Sequence, residues 1–267
     1  MKKVLGILLL TSILFVSGCS TVPLTGRRQM ALYPESSLVE MSLTNYGEFL
    51  GGNKLSTNAA QTQMVRTVGA RIAKAVEKYL TDNGYTDMVS TFKWEFNLVE
   101  DNTPNAWAMP GGKVVVYTGI LPYTKDADGL AVVMGHEVAH AVARHGNERM
   151  SQGMLVELGG IALSEAIKQK PETTQSIFLT AYGVGSQVAV TLPYSRKHES
   201  EADDLGLIFM AMAGYNPSVA VDFWTRMAQS GSGAPLEILS THPSDAKRIE
   251  NIKAQLPKAM QYYNAAK

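Results

Sequence analysis

Cysteine occurs once in the 267 residues, at Cys19. That excludes an internal disulfide framework and any metal site built from several thiolates. An excess of charge of either sign is also missing, since 24 lysines and arginines face 24 aspartates and glutamates. No basic surplus recommends nucleic acid as a partner. Internal repeats, heptads and low-complexity tracts are absent as well, which excludes solenoids and coiled coils. Hydrophobic residues make up 45% of the chain, too many for a disordered polypeptide and enough for a sizeable core at this length. The chemistry must therefore come from His, Asp, Glu, Ser or Tyr, and only five histidines are available.

A long apolar run appears only at the start. Lys2 and Lys3 precede an uncharged stretch from Val4 to Val16, followed by Ser17, Gly18 and Cys19. This is the layout of a secretory signal peptide, and it is too short for a membrane-spanning helix, which needs about 20 residues. Val16-Ser17-Gly18-Cys19 also resembles a bacterial lipobox, in which Cys19 would be lipidated. The expected organisation is a signal peptide over 1–18, a lipid-anchored tether over 19–34 lying on the domain, and one domain over 35–267. The expected address is the bacterial cell envelope, as a lipoprotein of the outer membrane facing the periplasm.

Beyond the tether the patterns are mostly helical. Glu35 to Leu50 and Ala59 to Leu80 carry helical spacing, with Met64, Val68, Ile72, Val76 and Leu80 on one face of the second. Phe92 to Leu98 alternates apolar and polar residues and reads as a half-buried strand. Lys113 to Leu121 reads as a second strand, and the residues between them as a turn-rich connection. Asp128 to Met150, Ser200 to Ala213 and Pro243 to Leu256 read as helices, with Gly214 ending the second of these. Thr173 to Ser195 lacks charge but contains Pro193 and several polar residues, so it is expected to be buried or to form a lid rather than to span a membrane. The fold class is α+β, mostly helical, with a small sheet.

Gly135-His-Glu-Val-Ala-His140 concentrates the chemistry. His136 and His140 are four apart, so on a helix they share a face and can grip one ion. Glu137 sits beside that ion without binding it and can take a proton from an attacking water. A solvated helix would carry polar neighbours on one side, whereas Leu130 to Met134 and Val138 to Val142 are mainly apolar. Zinc fits this motif and setting, with a third protein ligand still required. His145 is the near candidate, but the metzincin spacing fails at Val142 and Gly146, so it reads as a neighbouring or surface residue. His198-Glu-Ser-Glu-Ala-Asp203 supplies a better one. Glu199 can ligate, and Asp203, four residues on, can accept the free ring N–H of a liganding histidine. His242, just before Pro243, reads on its own as an exposed residue at a capped helix start.

Together these segments resemble the zinc metallopeptidase family of HtpX and the CAAX prenyl proteases, and within it the lipid-anchored periplasmic and mitochondrial quality-control members. The resemblance takes in Thr25-Gly-Arg27 with Gln29, Asn105-Ala-Trp-Ala-Met-Pro-Gly-Gly112, the His136–His140 motif, Ser195-Arg196 before Glu199–Asp203, and Thr241-His-Pro243 with Arg248. It implies a zincin-like domain holding one zinc ion on His136, His140 and Glu199, rather than Glu201. It also implies that Asn105, on an edge strand, helps to place the substrate carbonyl, and that His242 stabilises the transition state or closes the metal site.

The expected function is a membrane-anchored zinc metalloendopeptidase that hydrolyses peptide bonds in unfolded or misassembled envelope proteins. Glu137 is its general base, and His242 or Tyr194 the oxyanion donor. The Phe92–Val99 and Lys113–Ile120 strands are expected to present an edge to an extended peptide. The competing reading is a lipoprotein chaperone or assembly factor with a closed structural zinc site, in which His242 is the fourth ligand. The expected partners are protein or peptide substrates and, through the anchor, a membrane.

Overall fold

A computed structural model describes residues 19–23, 25–230, 237–242 and 246–267. The expected signal peptide lies outside the described residues. The chain opens with a hairpin, β1 (Cys19–Thr21) paired antiparallel with β2 (Arg28–Met30). Helices α1 (Glu35–Gly52) and α2 (Ala59–Asp82) follow, then a one-turn helix α3 (Thr86–Val89). Asn58 caps α2 by accepting the Gln61 N–H, and Val65, Val68, Ile72, Val76 and Leu80 form its buried stripe.

That stripe rests against a three-stranded sheet of β3 (Glu95–Val99), β4 (Ala106–Met109) and β5 (Lys113–Tyr117). Gly69 of α2 leaves the space that the Phe96 ring fills, since a Cβ there would fall 2.4 Å from it. The strand order is β3-β5-β4, with β5 parallel to β3 and antiparallel to β4. Lys113–Tyr117 is therefore central and presents no edge, contrary to expectation. The edges belong to β3 and to β4, a strand in the stretch expected to be a turn-rich connection. Val114, Val115 and Val116 are fully buried, as a central strand requires.

A one-turn helix α4 (Leu121–Thr124) leads into α5 (Ala127–Val142), which carries His136, Glu137 and His140. Asp126 caps α5 by accepting the Gly129 N–H at 2.9 Å, and every residue from Gly129 to Val142 is buried. The expected continuous helix to Met150 is broken after Val142, where Arg144 takes a left-handed conformation with φ 58°. The chain then re-enters α6 (His145–Ile167). Helix α7 (Glu172–Ser186) returns along it and runs through a π-helical turn, Gln187–Thr191, into α8 (Leu192–Met212).

Helix α8 lies across α5 at a contact of two glycines. A Cβ on Gly135 would stand 2.8 Å from the Gly206 carbonyl oxygen, and one on Gly206 would stand 2.8 Å from the His136 nitrogen. This backbone-to-backbone approach brings the two chemical segments of the sequence together. Helices α9 (Val219–Ser230), α10 (Glu237–Thr241) and α11 (Ala246–Ala265) complete the fold, and α11 packs on α8. Gly214, with φ 78°, ends α8 as expected.

The described side chains of Thr173–Ser195 are not buried. No residue of α7 is buried, and Ile177, Phe178, Val184 and Val188 are more than half exposed. Among the described residues no helix is long and apolar enough to cross a membrane.

Candidate metal centre and catalytic site

Helices α5 and α8 meet so that four donor atoms converge, from His136, His140, Glu199 and His242, all within 4.8 Å of one another. The Nε2 atoms of His136 and His140 are 3.0 Å apart. Glu199 Oε2 is 3.2 Å from His136 Nε2, and Glu199 Oε1 is 3.3 Å from His140 Nε2. His242 Nδ1 lies 3.1 Å from His136 Nε2 and 2.8 Å from Glu199 Oε2. Donors around a tetrahedral zinc, each about 2.0–2.2 Å from it, stand about 3.3–3.6 Å apart. The spacing here is close to that.

The proton inventory supports the fit. His136 Nδ1 is 2.9 Å from Asp203 Oδ1, to which a neutral ring donates its N–H, leaving a lone pair at Nε2. His140 Nδ1 is 2.8 Å from His145 Nδ1, so its N–H has a partner too, and a second lone pair faces the first. Two lone pairs and a carboxylate turned toward one point require a cation between them.

The charges are set by the surroundings. Burial opposes ionisation of Glu199, but His136, His140 and His242 outweigh it and hold the carboxylate far below its usual range. Burial pushes His140 well below the ordinary imidazole value, keeping it neutral. At His136 burial also disfavours charge, yet bonds to Asp203 and Glu199 prevail and raise the ring to about 9. The carboxylates that favour a proton on that ring also favour a dication at Nε2.

Outside the donors the two histidines have different supports. Asp203, on the His136 side, is gripped by Arg248, whose Nε and Nη2 donate at 2.8 and 2.7 Å. The Arg248 guanidinium also lies 3.4 Å from the centroid of the Trp224 ring. On the His140 side, His145 is fully buried rather than at the surface, and its Nε2 is 3.0 Å from Glu201 Oε2. Glu201 accepts in turn from Thr25 and from Arg27 Nε. Arg27 also forms a forked pair with Glu148, through Nη1 at 3.0 Å and Nη2 at 2.7 Å. Sequence reasoning missed Arg27, Glu148 and Glu201 as supports of the site. The available signal was the pairing of acids with histidines in Arg144-His145-Gly-Asn-Glu148 and His198–Glu201, which becomes informative only once the fold joins them.

Glu137 is buried beside the donors, and its Oε1 accepts no hydrogen bond among the described residues. The nearest partner is His242 Nε2, at 3.4 Å. His242 itself is buried, not exposed as the local sequence suggested. Asn105 lies just before β4, with its side chain accepting from the Ala106 N–H at 2.9 Å. Strand β4 packs on α5, and the neighbouring Pro104 carbonyl accepts from Ile238 N in α10, the helix just before His242. The Tyr194 side chain lies outside the described residues. A cavity of about 270 Å³ opens next to the donors, lined by Ser195, Arg196, Glu199, Asp203, Lys247 and Arg248 among others.

Comparison with known proteins gives the context. The chain is 40% identical over 190 residues to the mitochondrial metalloendopeptidase OMA1 of Schizosaccharomyces pombe, covering 70% of this chain and 53% of the relative. It is 29% identical over 263 residues to the human metalloendopeptidase OMA1, covering 94% and 48%. A putative β-barrel assembly-enhancing protease of Vibrio cholerae is 32% identical over 162 residues, covering 58% and 33%. The chain spans about half the length of the curated OMA1 relatives it matches.

These matches correct one expectation. The bacterial outer-membrane address does not stand, because the OMA1 relatives from yeasts, a plant and animals are named as mitochondrial proteins. The physical reason is that a basic start followed by a short apolar run is common to several kinds of targeting segment, so eighteen residues do not name a compartment. The likeness to HtpX and the CAAX proteases resolves only to the level of the whole family. The Peptidase family M48 profile matches residues 61–256, which include the two histidines of α5, Glu199 and His242, and the chain belongs to that family of zinc metallopeptidases.

Proposed function

We propose that this chain is a zinc-dependent metalloendopeptidase that cleaves extended segments of unfolded or misassembled proteins, in a quality-control role. The observation that carries the reading is Glu137, a buried carboxylate with an oxygen left without a hydrogen bond among the described residues, beside His136, His140 and Glu199. Such an oxygen is costly unless it has a proton to accept. Zinc, when bound, supplies Lewis acidity to the scissile carbonyl and makes water a better nucleophile. Glu137 Oε1 takes the proton of the attacking water and returns it to the leaving amine. Asp203 and His145 keep the two liganding rings turned the right way.

The peptide is proposed to pair with the outer edge of β4, which packs on α5 and directly follows Asn105, the residue that helps to place the substrate carbonyl. Main-chain pairing reads backbone more than side chains, which suits a protease of unfolded substrates. Glu137→Gln is expected to abolish casein cleavage and to retain one zinc per chain. Metal analysis beside the cleavage assay checks both, and a variant that loses its zinc overturns the base assignment.

A specific observation favours a second feature. His242 Nδ1 stands among the other donors at 2.8–3.1 Å, which supports a resting site closed by a fourth protein ligand. On this reading His242→Ala opens a position for water and raises cleavage. A fall of about 10²–10³ in turnover at unchanged zinc content makes His242 an oxyanion donor instead. We further propose that Cys19 carries a lipid anchor, read from the apolar run before it. Palmitate labelling that persists in Cys19→Ser would overturn this.

A further inference from the structure

We propose that Arg27, carried on the N-terminal hairpin, is a positioning residue of the metal site, acting on His140 through Glu201 and His145. The inference rests on the zinc-site reading above. It starts from a row of contacts: His140 Nδ1 to His145 Nδ1 at 2.8 Å, His145 Nε2 to Glu201 Oε2 at 3.0 Å, and Arg27 Nε to Glu201 Oε2 at 2.8 Å.

The proton positions give the row its direction. A carboxylate only accepts, so Glu201 holds the proton of a neutral His145 on Nε2. His145 Nδ1 is then a lone pair and can only accept from His140. His140 must therefore carry its proton on Nδ1, which leaves Nε2 free for a metal. If Glu201 turned away, His145 could place its proton on Nδ1 and donate to His140 instead. His140 would then be protonated on Nε2 and lost as a ligand. Orientation of the carboxylate thus selects the metal-binding tautomer two residues away.

Arg27 is what holds that carboxylate. Glu148 and Glu201 are 2% and 7% exposed, and two buried carboxylates side by side need a shared cation. Among the described residues no lysine and no other arginine is ion-paired with either of them. The guanidinium fork reaches both at once, which a lysine ammonium on a flexible stem cannot do with fixed geometry. Glu148 meets His198 Nε2 at 2.8 Å, and the His198 ring stacks on His145 at 4.3 Å, so the second branch presses on the same imidazole.

Arg27 lies in the connection of a hairpin that contributes Val22 to the core. The hairpin that carries it is seated on α6, where Leu32 N donates to Ser151 Oγ and Asn147 Nδ2 donates to the Tyr33 carbonyl. Seating of the hairpin and retention of zinc are therefore coupled, and the coupling is reciprocal. Losing the strap loosens the metal, and losing the metal loosens the strap.

Two measurements test this. The first is the rate at which a chelator strips zinc from the full chain. Arg27→Gln is expected to speed stripping about tenfold, within the range for residues that orient metal ligands, with Arg27→Lys in between. Glu201→Gln should speed it as well, and the double variant should speed it by less than the product of the two single effects, because the two residues share one of Arg27's two branches to His145. The second uses the wild type only: trypsin should cut at Arg27–Arg28 faster after zinc is removed than before. Zinc release at the wild-type rate from Arg27→Gln, even with a lowered melting temperature, overturns the proposal and leaves Arg27 a structural anchor. Equal trypsin rates with and without zinc overturn it too, and they decide the matter if Arg27→Gln does not fold. A wild type that holds no zinc overturns the metal site and the proposal together, whereas a zinc-loaded wild type with an indifferent Arg27 overturns the proposal alone.

Discussion

His136 and His140 stand one turn apart on one helix, yet they are steadied from opposite ends of the chain. His136 leans directly on a carboxylate, Asp203, which Arg248 of α11 grips with two hydrogen bonds. His140 leans on a neutral ring, His145, and reaches its carboxylate and arginine only through that ring. The first support is short and charged at the point of contact. The second is longer and relies on a tautomer. The difference teaches that two histidines proposed as equal ligands need not be equally held: His136 has the electrostatically reinforced support, and His140 the longer one, reaching to the N-terminal hairpin.

The largest expected effect leaves both supports intact. Glu199→Ala removes the donor that both histidines share and should reduce zinc content to that of a stripped protein, with cleavage lost in parallel. Metal analysis of the purified variant checks this, and a fully loaded variant would take Glu199 out of the donor set. Next come the supports themselves. Asp203→Asn should weaken zinc binding by about 10–100-fold, because it removes the carboxylate in direct contact with a ligand and strands Arg248. His145→Asn should fall at the lower end of that range. Competition with a chelator of known affinity ranks the two, and a larger loss for His145→Asn would invert the comparison. The smallest effect strikes both sides at once. Gly206→Ala should force α5 and α8 apart, at a cost of about 1–3 kcal/mol. Its melting temperature should drop by roughly 3–10 °C. A melt unchanged from wild type would show that the glycine contact is not the pivot of the site.

Local patterns carried much of this architecture. The helical spacing of Val68, Ile72, Val76 and Leu80 marked α2, and His136, Glu137 and His140 announced their own chemistry through i, i+4 geometry. The break at Arg144 was not legible, because neither glycine nor proline marks it, and the left-handed turn depends on the burial of His145 and Glu148 at the start of α6. Strand β4 was hidden for a related reason: four residues between Asn105 and Pro110 are too few to display a period. Parallel pairing of β3 with β5 depends on partners eighteen residues apart in sequence, Glu95 and Lys113, and no local signal specifies it. His145 seemed peripheral because Glu201, its partner at Nε2, and Arg27, which holds Glu201, come from distant parts of the chain. The exposed α7 shows the opposite case. An uncharged stretch suggested burial or a lid, and the burial half of that reading fails, because burial requires a facing surface and composition does not say whether one exists.

Arg248, the anchor of His136, lies 112 residues after it in the chain. At a synthesis rate of about 5–20 residues per second, the ribosome makes the anchor about 6–22 s after His136. During that interval α5 can fold against the sheet and α2, but His136 lacks the buttress that α11 provides, and His242 is absent for nearly all of it. A nascent peptidase is thus assembled with its hydrolytic centre unfinished until nearly the whole domain has been translated. The order of residues along the chain acts as a timer on the completion of the candidate metal centre.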